Sequence, residues 1–400
     1  MLAIYRKYRP QKLSDVLGQE NVTSILKNAA AADRLGHAYL FYGPRGSGKT
    51  TSARILAKIV NCEKRQKDAK FRELGEPCNE CRVCEGIDSG RALDIVEIDA
   101  ASNRGIDEIR DLKESIKFAP SSYKYKVFII DEAHQLTKEA FNALLKTLEE
   151  PPEHALFIMA TTEIHKIPAT VISRCQRFDF KRISEPELES RIEKIAKDEG
   201  IKIGKRAVSV IAKASEGGLR DGVSFLDQIS MNAGSKEITE KDISELLGMV
   251  DTGKIEKLMK MIKEGQKKEA LKFLEGLLEA GADIGQLTKG LMNGYRGKIQ
   301  SGLSDDGLTE KYVSAVETLS ECNRNFRLSL YPQLSLEVAI LKIMGVNDLV
   351  EKDSGQARMT ERDSSTEFTR SVGGVGMTRA RGGAGKVNLI LPVPLKKTNL

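Results

Sequence analysis

The chain has 400 residues, too many for one compact core, so we expect two to four domains. Its 40% hydrophobic and 30% charged residues are typical of a soluble globular protein and exclude disorder, collagen and membrane spans as the main organisation. Residues 353–400 carry +4 of the net charge of +6, so the nearly neutral remainder gives no argument for nucleic-acid binding. The N-terminus has no apolar signal-peptide core, and no run approaches the ~20 apolar residues of a membrane helix, so we expect a cytoplasmic protein.

The first 180 residues alternate between strand and helix patterns. Short apolar runs that stop at Gly, Asp or Thr predict buried strands at 38–42, 93–98, 126–130 and 156–160. Strands that alternate with helices predict an α/β fold, with a parallel sheet and helices on both faces. Polar residues just beyond the strands line the ligand crevice of such sheets. The residues at that edge are Asp131, Glu132, Thr161 and Thr162.

After residue 180 the strand signals stop and amphipathic helical patterns follow. Short helices up to about residue 247 predict a small helical domain, and longer ones up to about residue 347 predict a second. We therefore predict an α/β domain at 1–180 and helical domains at 181–247 and 248–350. Residues 351–400 are rich in Gly, Ser, Thr and Arg without a period, and we expect them to be disordered.

The segment from Gly43 to Thr50 fits the phosphate-binding pattern G-x-x-x-x-G-K-T, between a predicted strand and a predicted helix. Its glycines let backbone N–H groups approach phosphates, Lys49 reaches the β- and γ-phosphates, and Thr50 can ligate Mg²⁺. A chance glycine-rich turn is the alternative, which the strand and helix context disfavours. The predicted nucleotide-binding residues of this loop are Gly43, Pro44, Arg45, Gly46, Ser47, Gly48, Lys49, Thr50 and Thr51.

Asp131 and Glu132 are the expected partners of this loop. Asp131 is placed to hold Mg²⁺, usually through water, and Glu132 to polarise an attacking water as a general base. Thr161 and Thr162 follow the next strand, where a hydroxyl can orient the water or contact the γ-phosphate. The alternative for both pairs is that they merely end a strand, since threonines and carboxylates are common in turns.

Four of the six cysteines have the spacing C-x15-C-x2-C-x2-C; they are Cys62, Cys78, Cys81 and Cys84. Four thiolates at such spacings suit tetrahedral Zn²⁺, and free cysteines are the alternative. We expect the charged insert 63–77 to loop out of the site. Cys175 and Cys322 are interpreted as core thiols, and the four histidines as structural or solvated, because they lie in separate segments.

These residues together resemble the gamma/tau subunits of bacterial DNA polymerase III, which are AAA+ clamp-loader ATPases. The resemblance spans about residues 1–230, and its most specific feature is the cysteine module (residues 62–84) just after the phosphate-loop helix. The other matching segments are 8–10, 16–20, 37–41, 97–102, 141–153, 160–163, 173–175 and 219–221.

The resemblance implies roles for individual residues. Arg174 would reach into the ATP site of a neighbouring subunit, Thr162 would be the sensor 1 residue and Arg220 the sensor 2 residue. The segment facing the adenine would contain Arg9, Pro10, Val16 and Leu17. The implied catalytic residues are Lys49, Asp131, Glu132, Thr162, Arg174 and Arg220. The implied metal ligands are Thr50 and Asp131 for magnesium, and Cys62, Cys78, Cys81 and Cys84 for zinc.

The resemblance also implies an AAA+ P-loop NTPase core with a parallel sheet and an inserted zinc module, then a helical lid and an all-helical collar that joins subunits in a ring. The implied cofactors are ATP, Mg²⁺ and Zn²⁺. ATP binding and hydrolysis would load a sliding clamp onto primer–template DNA, with other loader subunits as partners. The insert between Cys62 and Cys78 is longer than usual, so Cys62 is the least certain zinc ligand. The chain ends soon after the expected collar, so we do not expect it to bind the helicase or the polymerase catalytic subunit directly.

Two other functions remain as alternatives. A ring scaffold subunit that does not hydrolyse ATP is disfavoured by the intact Lys49, Thr50, Asp131 and Glu132. Another AAA+ DNA motor, such as a branch-migration helicase, is disfavoured by the cysteine module and by the segment 173–175. We recognise no paired-carboxylate polymerase site, so polymerase chemistry would belong to the assembled DNA polymerase III holoenzyme.

Overall fold

The computed structural model of the chain describes residues 3–103, 112, 114–234, 236–248, 250–301, 306–326 and 329–345. The predicted tail at 351–400 lies outside the described residues. By the distribution of internal contacts the chain forms two compact units. The first is Met1–Thr252 with Leu277–Leu287, and the second is Gly253–Gly276 with Thr288–Leu400.

Among the described residues, the first unit contains a five-stranded parallel sheet with the order β2-β3-β4-β1-β5. The strands are β1 Ala38–Tyr42, β2 Ile95–Asp99, β3 Lys126–Asp131, β4 Ala155–Thr161 and β5 Gln176–Asp179. Because β1, β3 and β4 lie inside the sheet and are covered on both faces, their sequences are continuous apolar runs, as predicted. β2 begins two residues later than expected, because Leu93 is 84% exposed and does not join the sheet.

The helices of this unit cover both faces of the sheet. On one face, Leu56 of the helix after β1 packs with Phe41 and Ile158. On the other face, the rings of Phe128 and Phe157 stack with centroids 5.2 Å apart. The described helices are α1 Ile4–Lys7, α2 Glu20–Ala31, α3 Lys49–Asn61, α4 Glu63–Lys67, α5 Ala69–Arg72, α6 Arg82–Asp88, α7 Lys138–Glu149 and α8 Ala169–Ile172, then α9 Glu185–Asp198, α10 Lys205–Ala214, α11 Leu219–Ala233 and α12 Glu240–Leu246.

Helices α9 to α12 pack around a core of their own, separate from the sheet. The N-terminal helix α1 joins this core through Ile4, whose backbone N–H also donates to Asp227 Oδ2 at 3.1 Å. Lys7 and the Tyr8 hydroxyl both donate to Glu199 Oε1 at 2.6 Å. Residues 4–8 are therefore part of the helical domain that follows the sheet in sequence.

The described helices that follow are α13 Thr252–Lys263, α14 Lys267–Glu279, α15 Ile284–Ser301, α16 Asp306–Asn325 and α17 Pro332–Ile343. In the second unit, α13 and α15 approach closely, since a Cβ on Gly294 would lie 2.4 Å from Met259 Sδ and one on Gly290 would lie 2.9 Å from Ile255. Glycine at these two positions therefore lets the helices pack. None of the helices in the described part of the chain is long and apolar enough to span a membrane.

Candidate active site

The loop between β1 and α3 owes its shape to its glycines. Gly46 and Gly48 have φ values of 75° and 101°, in the left-handed region that side chains disfavour. A Cβ on Gly43 would lie 2.4 Å from the carbonyl oxygen of Phe180, so this position also has room for glycine alone. Gly48 immediately precedes α3. The free N–H groups and the positive dipole end of α3 therefore lie at this loop, an arrangement that binds phosphate.

Lys49 is the first residue of α3 and is buried. Its Nζ donates to the carbonyl oxygens of Gly43 and Pro44, at 2.9 and 2.8 Å. Burial lowers the pKa of Lys49, and the carboxylates of Glu132 and Asp131 oppose that shift. A buried ammonium that only carbonyl oxygens satisfy gains from exchanging them for anionic phosphate oxygens.

Thr50 and Asp131 meet, although they belong to different elements. Thr50 Oγ1 donates to Asp131 Oδ2 at 2.7 Å, and the backbone N–H of Glu132 donates to Asp131 Oδ1 at 2.9 Å. A hydroxyl and a carboxylate are hard oxygen donors of the kind that Mg²⁺ prefers beside substrate phosphates. The residues present therefore fit a magnesium ion.

Glu132 directly follows β3, and β4 is the neighbour of β3 in the sheet, so Thr161 and Thr162 at the carboxyl end of β4 lie beside the Asp131–Glu132 pair. Thr162 Oγ1 donates to Glu132 Oε2 at 3.3 Å. His134 Nδ1 is 3.5 Å from the same oxygen and 3.0 Å from Thr161 Oγ1, and its side chain is only 5% exposed. Sequence reasoning did not connect this histidine with the site, although it lies only two residues after Glu132.

One pocket of the first unit brings most of the predicted residues together. Its phosphate end contains the loop residues Arg45–Thr51 with Asp131 and Glu132. Its lining also includes the four residues that the resemblance places beside adenine: Arg9, Pro10, Val16 and Leu17. The residues that sequence reasoning missed are Tyr5, Tyr8, Ile183, Leu219 and Val223. Leu219 and Val223 belong to the lid helix α11, and Ile183 precedes the lid. In the sequence such apolar residues cannot be distinguished from ordinary helix-core residues.

The lid contributes Arg220, in the first turn of α11, to the same pocket. Its guanidinium carbon lies 5.1 Å from the centre of the Tyr5 ring. The lid backbone also approaches the phosphate loop closely, because a Cβ on Gly46 would lie 2.9 Å from the Cα of Gly218. A ligand in this pocket would therefore contact the loop and the lid together.

Arg174 and the phosphate loop's first two residues, Gly43 and Pro44, are not among the residues that line this pocket, and neither is Thr162. Arg174 follows α8 and donates to the carboxylate of Glu149 and, at 2.6 Å, to the carbonyl oxygen of Thr170. Its guanidinium is thus held on the surface, away from its own chain's pocket.

The four cysteines of the cysteine module converge, with all their Sγ atoms within 4.8 Å of one another. Cys78 Sγ and Cys84 Sγ are 3.9 Å apart, and tetrahedral zinc at a Zn–S distance of about 2.3 Å separates two sulfurs by about 3.8 Å. The backbone N–H groups of Glu80 and Cys81 donate to Cys78 Sγ. The hydrogen bond between Cys62 and Cys84 lowers the pKa of Cys62 and raises that of Cys84, and burial raises the pKa of Cys78. The donors fit Zn²⁺, and Cys62 is one of the four.

The insert 63–77 contributes no residue to the cluster of sulfurs and so loops out of the metal site, as expected. It folds into α4 and α5 and packs on the body of the unit. Arg65 is only 5% exposed, and it donates to the carbonyl oxygens of Ile59, Ala30 and Arg72 at distances of 3.1, 2.8 and 3.0 Å. This guanidinium can be buried because backbone carbonyls satisfy it.

These features define an AAA+ ATPase. A phosphate loop leads into helix α3, Asp131 and Glu132 stand at the end of β3, and a helical lid brings Arg220 to the same pocket. Three family models match the chain. They are "DNA polymerase III, delta subunit" over 18–184, "DNA polymerase III clamp loader subunit, ATPase lid domain" over 187–234, and "DNA polymerase III subunits gamma and tau domain III" over 238–306.

Curated relatives point to the same family. DNA polymerase III subunit tau of Bacillus subtilis is 41% identical in an alignment of 398 positions that covers 93% of this chain and 69% of that protein. Subunit gamma/tau of Mycoplasma genitalium is 46% identical, and subunit tau of Escherichia coli is 40% identical, each over 70% of this chain. The chain spans 46% and 40% of those two proteins. The chain therefore belongs to the gamma/tau family of DNA polymerase III clamp-loader subunits.

Among solved structures, the Thermotoga maritima RuvB Holliday junction branch migration motor matches with a TM-score of 0.44 and 20% identity. The match covers 64% of this chain and 79% of that one. We draw no functional conclusion from a similarity at this level.

Proposed function

We propose that the chain is the ATPase motor subunit of a bacterial clamp loader, in which ATP binding and hydrolysis drive the loading of a sliding clamp onto primer–template DNA. The observation that carries this proposal is the single pocket that joins the phosphate loop, Asp131, Glu132 and the lid residue Arg220. ATP in that pocket would contact the core and the lid at once, so its hydrolysis would change what holds them together.

Each group at the phosphate end has a proposed task. Lys49 exchanges its bonds to Gly43 and Pro44 for bonds to the β- and γ-phosphates. Thr50 and Asp131 hold Mg²⁺, which when bound neutralises charge on the phosphates. Glu132 orients and deprotonates the attacking water, and the hydroxyl of Thr162 fixes the carboxylate that does so.

Among the other pocket-lining residues, Arg9, Pro10, Val16 and Leu17 form the surface that contacts the adenine. Burial lowers the pKa of Arg9, which still carries its charge at neutral pH because arginine's ordinary value is so high. Arg220 of the lid contacts the phosphates and so couples the nucleotide state to the lid.

Arg174 acts on the ATP of a neighbouring subunit in the ring. It is absent from the lining of its own pocket, and its present partners are all in its own chain: the Glu149 carboxylate, the Thr170 carbonyl and the Ser173 hydroxyl. Docking of a neighbour would replace the Glu149 carboxylate with a phosphate. The partners are therefore other loader subunits, the sliding clamp and primer–template DNA, with the second unit as the collar that holds the ring. We place the protein in the cytoplasm, where replication occurs.

Zinc in the cysteine module is the third proposed cofactor, after ATP and Mg²⁺. Four thiolates complete a tetrahedral shell and leave no open position, which is the pattern of a structural site. The module would thus add stability to the core and take no part in phosphate chemistry.

Clamp loading by a reconstituted loader tests the proposal. A loader containing this chain should place labelled clamp on primed DNA with ATP but not with ADP. The Lys49→Ala chain should assemble and fail to load. The matched Lys138→Ala chain should load normally, since Lys138 is exposed at the start of α7. Equal loading by the wild-type and Lys49→Ala loaders would refute the motor function.

A further inference from the structure

Residues 8–17, which we call the wall segment, supply the part of the pocket lining that the family resemblance places beside adenine. Its pocket-lining residues lie at its two ends, at 8–10 and 16–17, and between them the chain has only one 3-10 turn, Leu13–Asp15. Such a segment has few backbone hydrogen bonds of its own, so its position depends on contacts from elsewhere.

Glu76 of the cysteine module makes the first such contact. Its carboxylate accepts the backbone N–H groups of Leu13 and Ser14, at 2.8 and 3.0 Å. Glu76 is only 6% exposed, and Lys27 Nζ is 3.8 Å from the same carboxylate. Hydrogen bonds to a buried carboxylate are about twice as strong as neutral ones, and this pair holds the turn directly.

Asn79, between Cys78 and Cys81, makes the second contact. Its Nδ2 donates to the carbonyl oxygen of Gln11 at 3.2 Å. Lys58 of α3, 1% exposed, donates to both Asn79 Oδ1 and Gln11 Oε1, at 2.8 and 2.5 Å. The wall segment is therefore bonded on both sides of Lys12 to the loop that carries the cysteines.

The module itself is seated firmly on α2. A Cβ on Gly75 would lie 2.3 Å from the carbonyl oxygen of Lys27, so the chain just before Glu76 lies directly on the α2 backbone. The chain is therefore held on both sides of Glu76, by the contact of Gly75 with α2 before it and by Cys78 of the sulfur cluster two residues after it.

We infer that the cysteine module positions the base-side wall of the nucleotide pocket, through Glu76 and Asn79, and so sets the affinity for the nucleoside part of the ligand. Glu76 and Asn79 are positioning residues, since neither lines the pocket. This inference rests on the proposed nucleotide binding. It gives a physical role to a module that takes no part in phosphate chemistry.

The test compares Glu76→Gln with Glu80→Gln in the full chain. Both changes remove one carboxylate charge two residues from Cys78, but Glu80 is exposed, whereas Glu76 is buried and bonded to the wall segment. Metal analysis should find the same zinc content in both variants. Titration with ADP should show affinity about 5- to 20-fold weaker for Glu76→Gln, in the range of typical coupling between sites, and within about twofold of wild type for Glu80→Gln.

Competition with inorganic tripolyphosphate separates positioning from general damage. Tripolyphosphate has no base, so its affinity should be unchanged in Glu76→Gln while that of ADP falls. Asn79→Gly serves as a second variant if Glu76→Gln does not fold. It keeps the left-handed backbone at this position, where φ is 63°, and removes the bonds to Gln11 and Lys58.

The outcomes are distinguishable. A wild-type chain that binds no ADP would overturn the proposed nucleotide binding itself. Wild-type binding with unchanged ADP affinity in the variants would overturn the positioning role alone. Equal weakening of ADP and tripolyphosphate would also overturn it, because the phosphate end would then depend on the module as much as the wall does.

Discussion

The Glu132→Gln substitution should separate ATP binding from hydrolysis. The glutamine has the same shape, and its amide oxygen can still accept the hydrogen bond from Thr162. It cannot take a proton from water, so the chemical step loses its general base. Loss of a general base costs ~10²–10⁴-fold in rate, or about 3 to 5 kcal/mol of transition-state stabilisation. ATP affinity should change little, because Lys49, Thr50 and Asp131 remain intact.

The Thr162→Val substitution provides a comparison for the loss of hydrolysis rate in Glu132→Gln. It removes one long hydrogen bond, 3.3 Å, to a charged group and leaves the carboxylate of Glu132 in place. A weak bond of this kind is worth about 1.5 kcal/mol, so the rate should fall about tenfold. Glu132→Gln should therefore be at least tenfold more damaging than Thr162→Val.

Single-turnover hydrolysis of saturating ATP by the assembled loader measures both rates, and equilibrium titration measures the affinities. Glu139→Gln is the matched control, because Glu139 is an exposed carboxylate in the first turn of α7. A Glu132→Gln loader that hydrolyses ATP at the wild-type rate would refute the water-activation role. A larger loss for Thr162→Val than for Glu132→Gln would refute the assigned division between base and orienting hydroxyl.

Three further predictions concern binding, metal and assembly. Lys49→Ala should abolish detectable ATP binding in equilibrium titration, because the buried ammonium at the phosphate loop is lost; binding at wild-type affinity would contradict this. Protein purified without chelator should contain one zinc per chain by metal analysis, whereas near-zero zinc with four freely titrating thiols in the cysteine module would contradict the site. Arg174→Ala should keep its own ATP affinity but lose most of the assembly-dependent acceleration of hydrolysis. Rings that contain both Arg174→Ala and Lys49→Ala chains should recover part of that activity, and no recovery in rings shown to hold both would refute action in trans.

The central strands and the phosphate loop could be predicted from sequence because the residues that determine them are neighbours in the chain. A strand buried on both faces must be apolar throughout, as β3 and β4 are, and a loop that approaches phosphate closely needs glycine at fixed spacings. The edge strand β5 was missed for the opposite reason. Of its four residues only Phe178 is buried, so it has no periodic signal.

Other features depend on contacts between residues far apart in the chain. α1 packs on the lid through Ile4 and Asp227, which are 223 positions apart, and no local pattern signals that pairing. The burial of Arg65 could not be predicted from sequence, because the three backbone carbonyls that compensate it come from Ala30, Ile59 and Arg72. His134 was overlooked because one histidine without ligand spacing has no sequence signature, although it lies beside Glu132.

The adenine wall was named only through the family resemblance. Nothing in the composition of Arg9-Pro10 or Val16-Leu17 signals a base-binding surface. The structure places these residues in the same pocket as the phosphate loop. The contacts of that wall with Glu76 and Asn79 were not foreseen at all, since the cysteine spacing drew attention to the sulfur atoms alone.

The most direct test of the motor account is ATP turnover by the loader with and without clamp and primed DNA. The isolated chain should hydrolyse ATP slowly, because in our proposal Arg174 completes the site of a neighbouring subunit. Assembly with partner subunits, clamp and DNA should raise the rate toward the ~10³–10⁵-fold that an arginine supplied in trans provides. A rate that stays the same in the isolated chain, the assembled loader and the loader on clamp and DNA would contradict the account.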